Sequence, residues 1–229
     1  MRRPRVLVAC ESSGKVRDAF IRAGCDAMSC DLMPTKKPGP HYQGDVRDIL
    51  HRQWDALIAF PTCTFICGSG QHWVKRGRIE ADGRLRAEHV KEGVAFARMF
   101  IDGPETAHIP CRAVENPVGI LSTLVREPDQ IIQPWMFGDD ASKATCLWLH
   151  GFDPLRLDPS KFTPPRIVIW QGKFVMRWAN QTDSGQNNLP PSEDRWDLRS
   201  ETYQGVADAM AAQWAPALIE QFDPAFGLV

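Results

Sequence analysis

The chain has 229 residues, 43% apolar and 24% charged, with a formal net charge of −1. That is the balance of a folded globular domain and excludes a disordered or fibrous chain. No apolar run is long enough to cross a bilayer, so no membrane partner is expected. No long basic run supplies the positive face that tight binding of duplex DNA uses.

The start, Met1 to Cys10, is basic and then apolar. Its apolar part is too short for a signal peptide and reads as a buried first strand. Seven scattered cysteines, an odd number, do not form a disulfide framework, and a reducing, cytoplasmic setting is expected.

Val6 to Ala9 is the first strand, and Val16, Ala19, Phe20 and Ala23 give the next segment helical spacing that Gly24 stops. Asp26 to Cys30 predicts a second strand ending at Asp31. Pro34 to Pro40 is a loop by its prolines and glycine. A short element leads to Gly44-Asp45, and Val46 to His51 suggests a brief helix. Asp55 to Phe60 is another buried strand, halted by Pro61. A Gly/Ser/Cys-rich loop is expected as far as about Trp73. Leu85 to Asp102 has the apolar spacing of a helix, and Arg112 to Glu115 is a strand ending in a carboxylate. Gln130 to Gln133 and Thr145 to Leu149 read as two further strands.

Alternating strands and helices predict an α/β fold with a doubly wound, mostly parallel sheet. Ligands of such sheets lie beyond the carboxyl ends of the strands, where Asp31, Asp45, Cys63 and Glu115 fall. Residues 1–150 are expected to form the cofactor-binding and catalytic domain. Residues 151–200 change in composition and read as a small, irregular substrate-recognition subdomain with strands at Arg166 to Trp170 and about Lys173 to Trp178. Residues 201–229 return to helical periodicity from Tyr203 to Phe222 and are expected to pack back on the first domain.

Phe60-Pro61-Thr62-Cys63 and Val114-Glu115-Asn116-Pro117 put a thiol and a carboxyl at neighbouring strand ends, a pairing suited to covalent catalysis with acid assistance. On these two segments the chain resembles the cytosine carbon-5 DNA methyltransferases, and more closely their short, phage-type relatives with a reduced target-recognition region. The resemblance implies a Rossmann-like, S-adenosylmethionine-dependent methyltransferase fold, with S-adenosylhomocysteine as product. It implies that Cys63 is the nucleophile, Glu115 its acid partner, and Asn116 a residue that fixes loop geometry.

The other segments are similar to the family's in the same order. Cys10-Glu11-Ser12-Ser13-Gly14 stands for the glycine-rich turn beside the cofactor's methionine part. Asp31-Leu32 stands for the segment whose acid holds the ribose, and Asp45-Val46 for the one that meets adenine. Phe60 and Pro61 complete the implied cofactor wall. Phe137 to Thr145 resembles the segment with a substrate-facing basic pair, which implies a catalytic role for Lys143. Tyr203 to Ala207, with Gly205 and Val206, resembles the final element beside the cofactor.

The chain departs from the family at Glu11 and Ser13, where glycines are usual, and at Thr62, where proline is. The basic pair is reduced to Lys143 and Thr145. The region 151–200 is short for a reader of duplex DNA, so DNA, single-stranded DNA and a free cytosine nucleotide all stand as substrates. A module that keeps the fold without the chemistry also stands. An amino-group methyltransferase is disfavoured, because its Asp/Asn-Pro-Pro-aromatic loop is missing here.

Plainer readings stand beside these. Cys63 is a buried core thiol, and Glu115 a helix cap. Asp31 and Asp45 are turn formers, and Ser12 to Gly14 caps the following helix. Cys63, Cys67 and His72 lack the fourth ligand of a structural zinc, so no metal is expected. Cys10, Cys25, Cys30 and Cys111 read as packing residues. Trp170, Trp178, Trp196 and Trp214 either stack bases or anchor the core, the latter for at least half of them.

Overall fold

The computed structural model describes residues 2–192 and 195–222. Seven strands form one sheet: β1 (Arg5–Ala9), β2 (Asp26–Asp31), β3 (His41–Gln43), β4 (Ala56–Ala59), β5 (Cys111–Pro117), β6 (Gln130–Ile132) and β7 (Thr145–His150). Their order is β3-β2-β1-β4-β5-β7-β6. Only β7 runs against its neighbours, pairing antiparallel with both β5 and β6. The expected mostly parallel, doubly wound sheet is therefore present. The reversed β7 was not anticipated, because strand direction leaves no trace in residue pattern.

Alternation along the strands divides the core. Val6, Val8, Ala56, Ile58 and Ala113 face one side, packed against helices α1 (Lys15–Arg22) and α7 (Gln204–Phe222). Leu7, Ala9, Leu57, Ala59 and Val114 face the other. There they meet α2 (Arg47–Leu50), α4 (Arg86–Ile101) and α5 (Leu121–Leu124). Both faces of the central strands are thus buried, which is why they read as continuous apolar runs.

Three short helices were not legible in the sequence. α3 (Gln71–Lys75), preceded by a 3-10 turn at Gly68–Gly70, interrupts the expected loop to Trp73, α5 follows β5, and α6 (Arg195–Ser200) precedes α7. α3 has no buried residue, so no apolar stripe could have announced it.

Residues 151–192 carry the antiparallel hairpin β8 (Arg166–Trp170) and β9 (Lys173–Arg177). The hairpin region is joined to the sheet's C-terminal edge: Trp178 stacks on Trp135 at 5.3 Å, and Asn180 exchanges two hydrogen bonds with the backbone of Ser142. Trp214 is buried and stacks on Phe152, whereas Trp170 is exposed. Trp196 lies outside the described side chains, as do residues 223–229. No described helix is long and apolar enough to cross a membrane.

Candidate active site

β1 lies beside β4, the central strand of the sheet. The chain winds outward from β1 through β2 and β3, then returns to begin β4 on its other side. The loop after β1 leads to α1 on one face, and the loop after β4 leads to α4 on the opposite face. Loops that diverge in this way mark the switch point, where ligands of open α/β sheets bind; Cys10–Gly14 forms one lip of it and Phe60–Cys63 the other.

The first lip is a tight turn, with Cys10 at φ +58° and Gly14 at φ +72°. Ser13 caps α1 as expected, its Oγ accepting from the Lys15 N–H at 3.3 Å, and Glu11 joins it: the Glu11 carboxylate accepts from the backbone N–H of Val16 (2.8 Å) and of Arg17 (3.4 Å), and from the Ser13 hydroxyl (2.9 Å). A buried carboxylate against the positive end of a helix dipole is well placed. Both side chains are engaged in this cap, a role compatible with a cofactor lying against the same turn. Burial raises the Glu11 carboxyl above its ordinary value even so.

Asp31 ends β2 and turns one carboxylate oxygen to the N–H of Met33, and Asp45 does the same for Arg47 at the start of α2. These are the turn-forming roles expected of aspartate. Asp31 keeps its second oxygen unengaged among the described residues, and the adjacent Leu32 is 73% exposed. A carboxylate oxygen beside an exposed apolar side chain fits the ribose-and-base half of S-adenosylmethionine. The Val46 side chain is buried in the core, so its backbone is what it offers a ligand. Phe60 is half-buried against the α1/α7 core, and Gly205 and Val206 lie in or beside that core. Gly205 donates to Asp139, and an added Cβ would meet the Phe137 carbonyl at 2.1 Å, so Gly205 serves close packing of α7 on that loop.

The second lip carries Cys63. Register places Ala59 beside Val114, so Phe60 and Pro61 run next to Glu115 and Asn116. Asn116 is buried, and its amide donates to the Pro61 carbonyl at 2.7 Å. Its Oδ1 is buried without a partner among the described residues. Glu115 is only 7% exposed. Lys143, brought in by the loop before β7, holds its Nζ 4.0 Å from Glu115 Oε1. Burial raises the Glu115 carboxyl, against the opposing influence of Lys143 and Thr145. A group held this way keeps its proton into the range where a free glutamate has lost it.

Cys63 is half-buried, not sealed beneath its loop. Burial pushes its thiol up, Lys143 pulls it down, and Cys67 and Glu115 push it up again. The balance is upward, which favours the thiol at rest. Cys25, Cys30 and Cys111 are buried and Cys10 half-buried, and none of the seven cysteines is in a disulfide. Among the described residues no three His, Cys, Asp or Glu side chains converge as metal ligands.

Arg17 was not singled out by the sequence. It is fully buried, and its guanidinium donates to Asp18, Ser29, Thr35 and the carbonyls of Lys37 and Pro38. It fastens the 32–40 loop to α1. Gly14 and Gly39 make room for it: an added Cβ would stand 2.5 and 2.7 Å from the guanidinium. Two glycines beside an arginine at an α1 position was the available signal, and it is legible only once their contact is seen.

No family model matches the chain, and no curated protein matches it. A solved structure of a mutant DNMT2 from Spodoptera frugiperda aligns with 64% of this chain at 11% identity and a TM-score of 0.35. This chain spans half the length of that one. The fold is Rossmann-like: a seven-stranded, mostly parallel sheet with helices on both faces.

Proposed function

We propose that this chain transfers a methyl group from S-adenosylmethionine to carbon 5 of a cytosine in DNA, through a covalent adduct with Cys63. The observation that carries this reading is that the half-buried Cys63 follows β4 and the buried Glu115 lies on the paired strand β5, with Lys143 4.0 Å from the Glu115 carboxylate and Asn116 bonded to the Pro61 carbonyl of the cysteine's own loop. A cysteine placed only for packing needs neither the carboxyl nor the cation.

When bound, S-adenosylmethionine supplies an electrophilic methyl group. The chain's own residues make the ring receptive. The Cys63 thiol gives its proton to solvent, favoured by the Lys143 ammonium, and the thiolate forms a bond to carbon 6. Glu115 hands its proton to the ring nitrogen at position 3, so the electron pair gathers at carbon 5 rather than as a full charge. After methylation, loss of the carbon-5 proton breaks the carbon 6–sulfur bond. The ring nitrogen then returns its proton to Glu115. Asn116 holds the Pro61 carbonyl, and with it the approach of Cys63, in place. Asp31, Leu32 and the Cys10–Gly14 backbone are the residues that would hold the cofactor.

Residues 151–200 are assigned to substrate recognition, since they dock on Ser142 beside Lys143. The test is transfer of labelled methyl from S-adenosylmethionine to duplex DNA, single-stranded DNA and cytosine mononucleotides. Label at carbon 5 of a DNA acceptor, lost in Cys63→Ala, supports the reading, and label on the mononucleotide alone overturns its DNA part. Transfer that persists in Cys63→Ala, or cofactor binding with no transfer, overturns it.

A further inference from the structure

The chain's near-zero net charge hides an uneven distribution. From Ala56 to Ile79 there is no acidic residue, although Lys75, Arg76 and Arg78 fall within that stretch. This is the segment that carries Cys63. α3 and the turn after it expose Trp73, with the Arg76 and Arg78 guanidiniums 5.5 and 5.2 Å from its ring and His72 4.6 Å away. Arg78 also lies 3.4 Å from Glu80, so it is partly neutralised. Lys75 and Arg76 are exposed.

These side chains are tied to the nucleophile loop. The Gln71 amide on α3 donates to the carbonyls of Phe65 and Cys67. Arg86 donates to the Thr64 carbonyl and lies over the Phe65 ring. Whatever occupies the surface of α3 is therefore positioned relative to Cys63.

We infer that Arg76 and Arg78, whose guanidiniums lie over Trp73, together with the exposed Lys75 on the same short helix, grip the phosphates of a nucleic-acid strand flanking the base presented to Cys63. An isolated base or a neutral partner gains nothing from such a group of cations. A phosphodiester strand matches it, because guanidiniums and ammonium groups pair with successive phosphates. This rests on the cytosine reading and sharpens it, making the substrate a polymer rather than a free nucleotide.

The test measures binding apart from chemistry. Wild type, the Lys75→Ala/Arg76→Ala double variant, Arg76→Glu and Trp73→Ala are titrated into a short labelled cytosine-containing strand, as DNA and as RNA, across a range of salt. Cytosine mononucleotide is the control, and circular dichroism confirms that the exposed substitutions leave the fold intact. Both charge variants are expected to bind the strand several-fold more weakly. Their salt slope should be shallower by about 0.7 per lost phosphate contact. Mononucleotide binding should be unchanged, and the arm with the larger loss names DNA or RNA. Unaltered strand affinity and salt slope, or an equal loss toward the mononucleotide, would overturn the inference. Failure of methyl transfer with the strand grip intact would instead count against the cytosine reading alone.

Discussion

The amide of Asn116 donates to the Pro61 carbonyl across 2.7 Å, both beside the half-buried Cys63. One hydrogen bond thereby sets the loop of one strand against the end of the next. Asn116→Ala removes the only donor recorded for the Pro61 carbonyl among the described residues. The loss of a buried partner costs about 1–3 kcal/mol, which in a chain of this size lowers the melting temperature by roughly 2–4 °C per kcal/mol. Methyl transfer should fall by more than the stability loss explains. Calorimetry beside initial rates at a temperature where both proteins are folded checks this.

Lys143 pulls down two groups that burial pushes up. Both Cys63 and Glu115 bind their protons more tightly when its charge is removed, because the cation favours thiolate and carboxylate alike. In Lys143→Met the pH at which Cys63 becomes reactive toward an alkylating reagent should move upward. Peptide mapping separates Cys63 from Cys67. An unmoved midpoint would show that the ammonium does not act on the thiol.

Glu115 must carry its proton and Cys63 must lose its own, so the rate should pass through a maximum with pH. Above that maximum Glu115 has given up its proton, and below it Cys63 has not. The two limbs belong to the pair, because the groups influence each other. In Glu115→Gln only the thiol still titrates. The rate, much reduced, should then rise with pH until Cys63 is ionised, with no descending limb before that point. A pH–rate profile on both proteins decides.

Arg17 donates to the carbonyls of Lys37 and Pro38 from a fully buried position. Arg17→Leu leaves both carbonyls without that donor, and the 32–40 loop should become sensitive to limited proteolysis. Binding of S-adenosylhomocysteine should weaken, because Asp31 and Leu32 lead into that loop. Gly14→Ala should act in the same direction, since alanine at φ +72° is strained and its Cβ would meet the guanidinium.

The elements of the central sheet were legible because buried parallel strands are short apolar runs between turn formers. Val6–Ala9 and Asp55–Phe60 announced themselves in that way. The direction of β7 was not legible, because antiparallel pairing changes partners rather than residue types. In the site, Cys63, Glu115 and Asn116 were found from strand ends and from the family resemblance. The capping role of Glu11 was not legible, because an acid in such a turn looks the same in sequence whether it faces a ligand or a helix end. Arg17 was missed since a fully buried arginine is uncommon, and its partners come from a loop some twenty residues away. The grouping of Trp73 with Arg76 and Arg78 needed the short helix α3, which has no apolar stripe.

The central claim is that Cys63 bonds to carbon 6 of cytosine, and a substrate that stalls after that step tests it most directly. Fluorine at carbon 5 cannot leave as a proton does, so a methylated 5-fluorocytosine strand should remain joined to the protein. The measurement is intact mass and peptide mapping after incubation with that strand and S-adenosylmethionine under denaturing work-up. The account predicts one adduct, on the peptide containing Cys63, absent from Cys63→Ala and dependent on the cofactor. An adduct at another residue, or methylation of ordinary cytosine strands with no adduct from the fluorinated one, would contradict it.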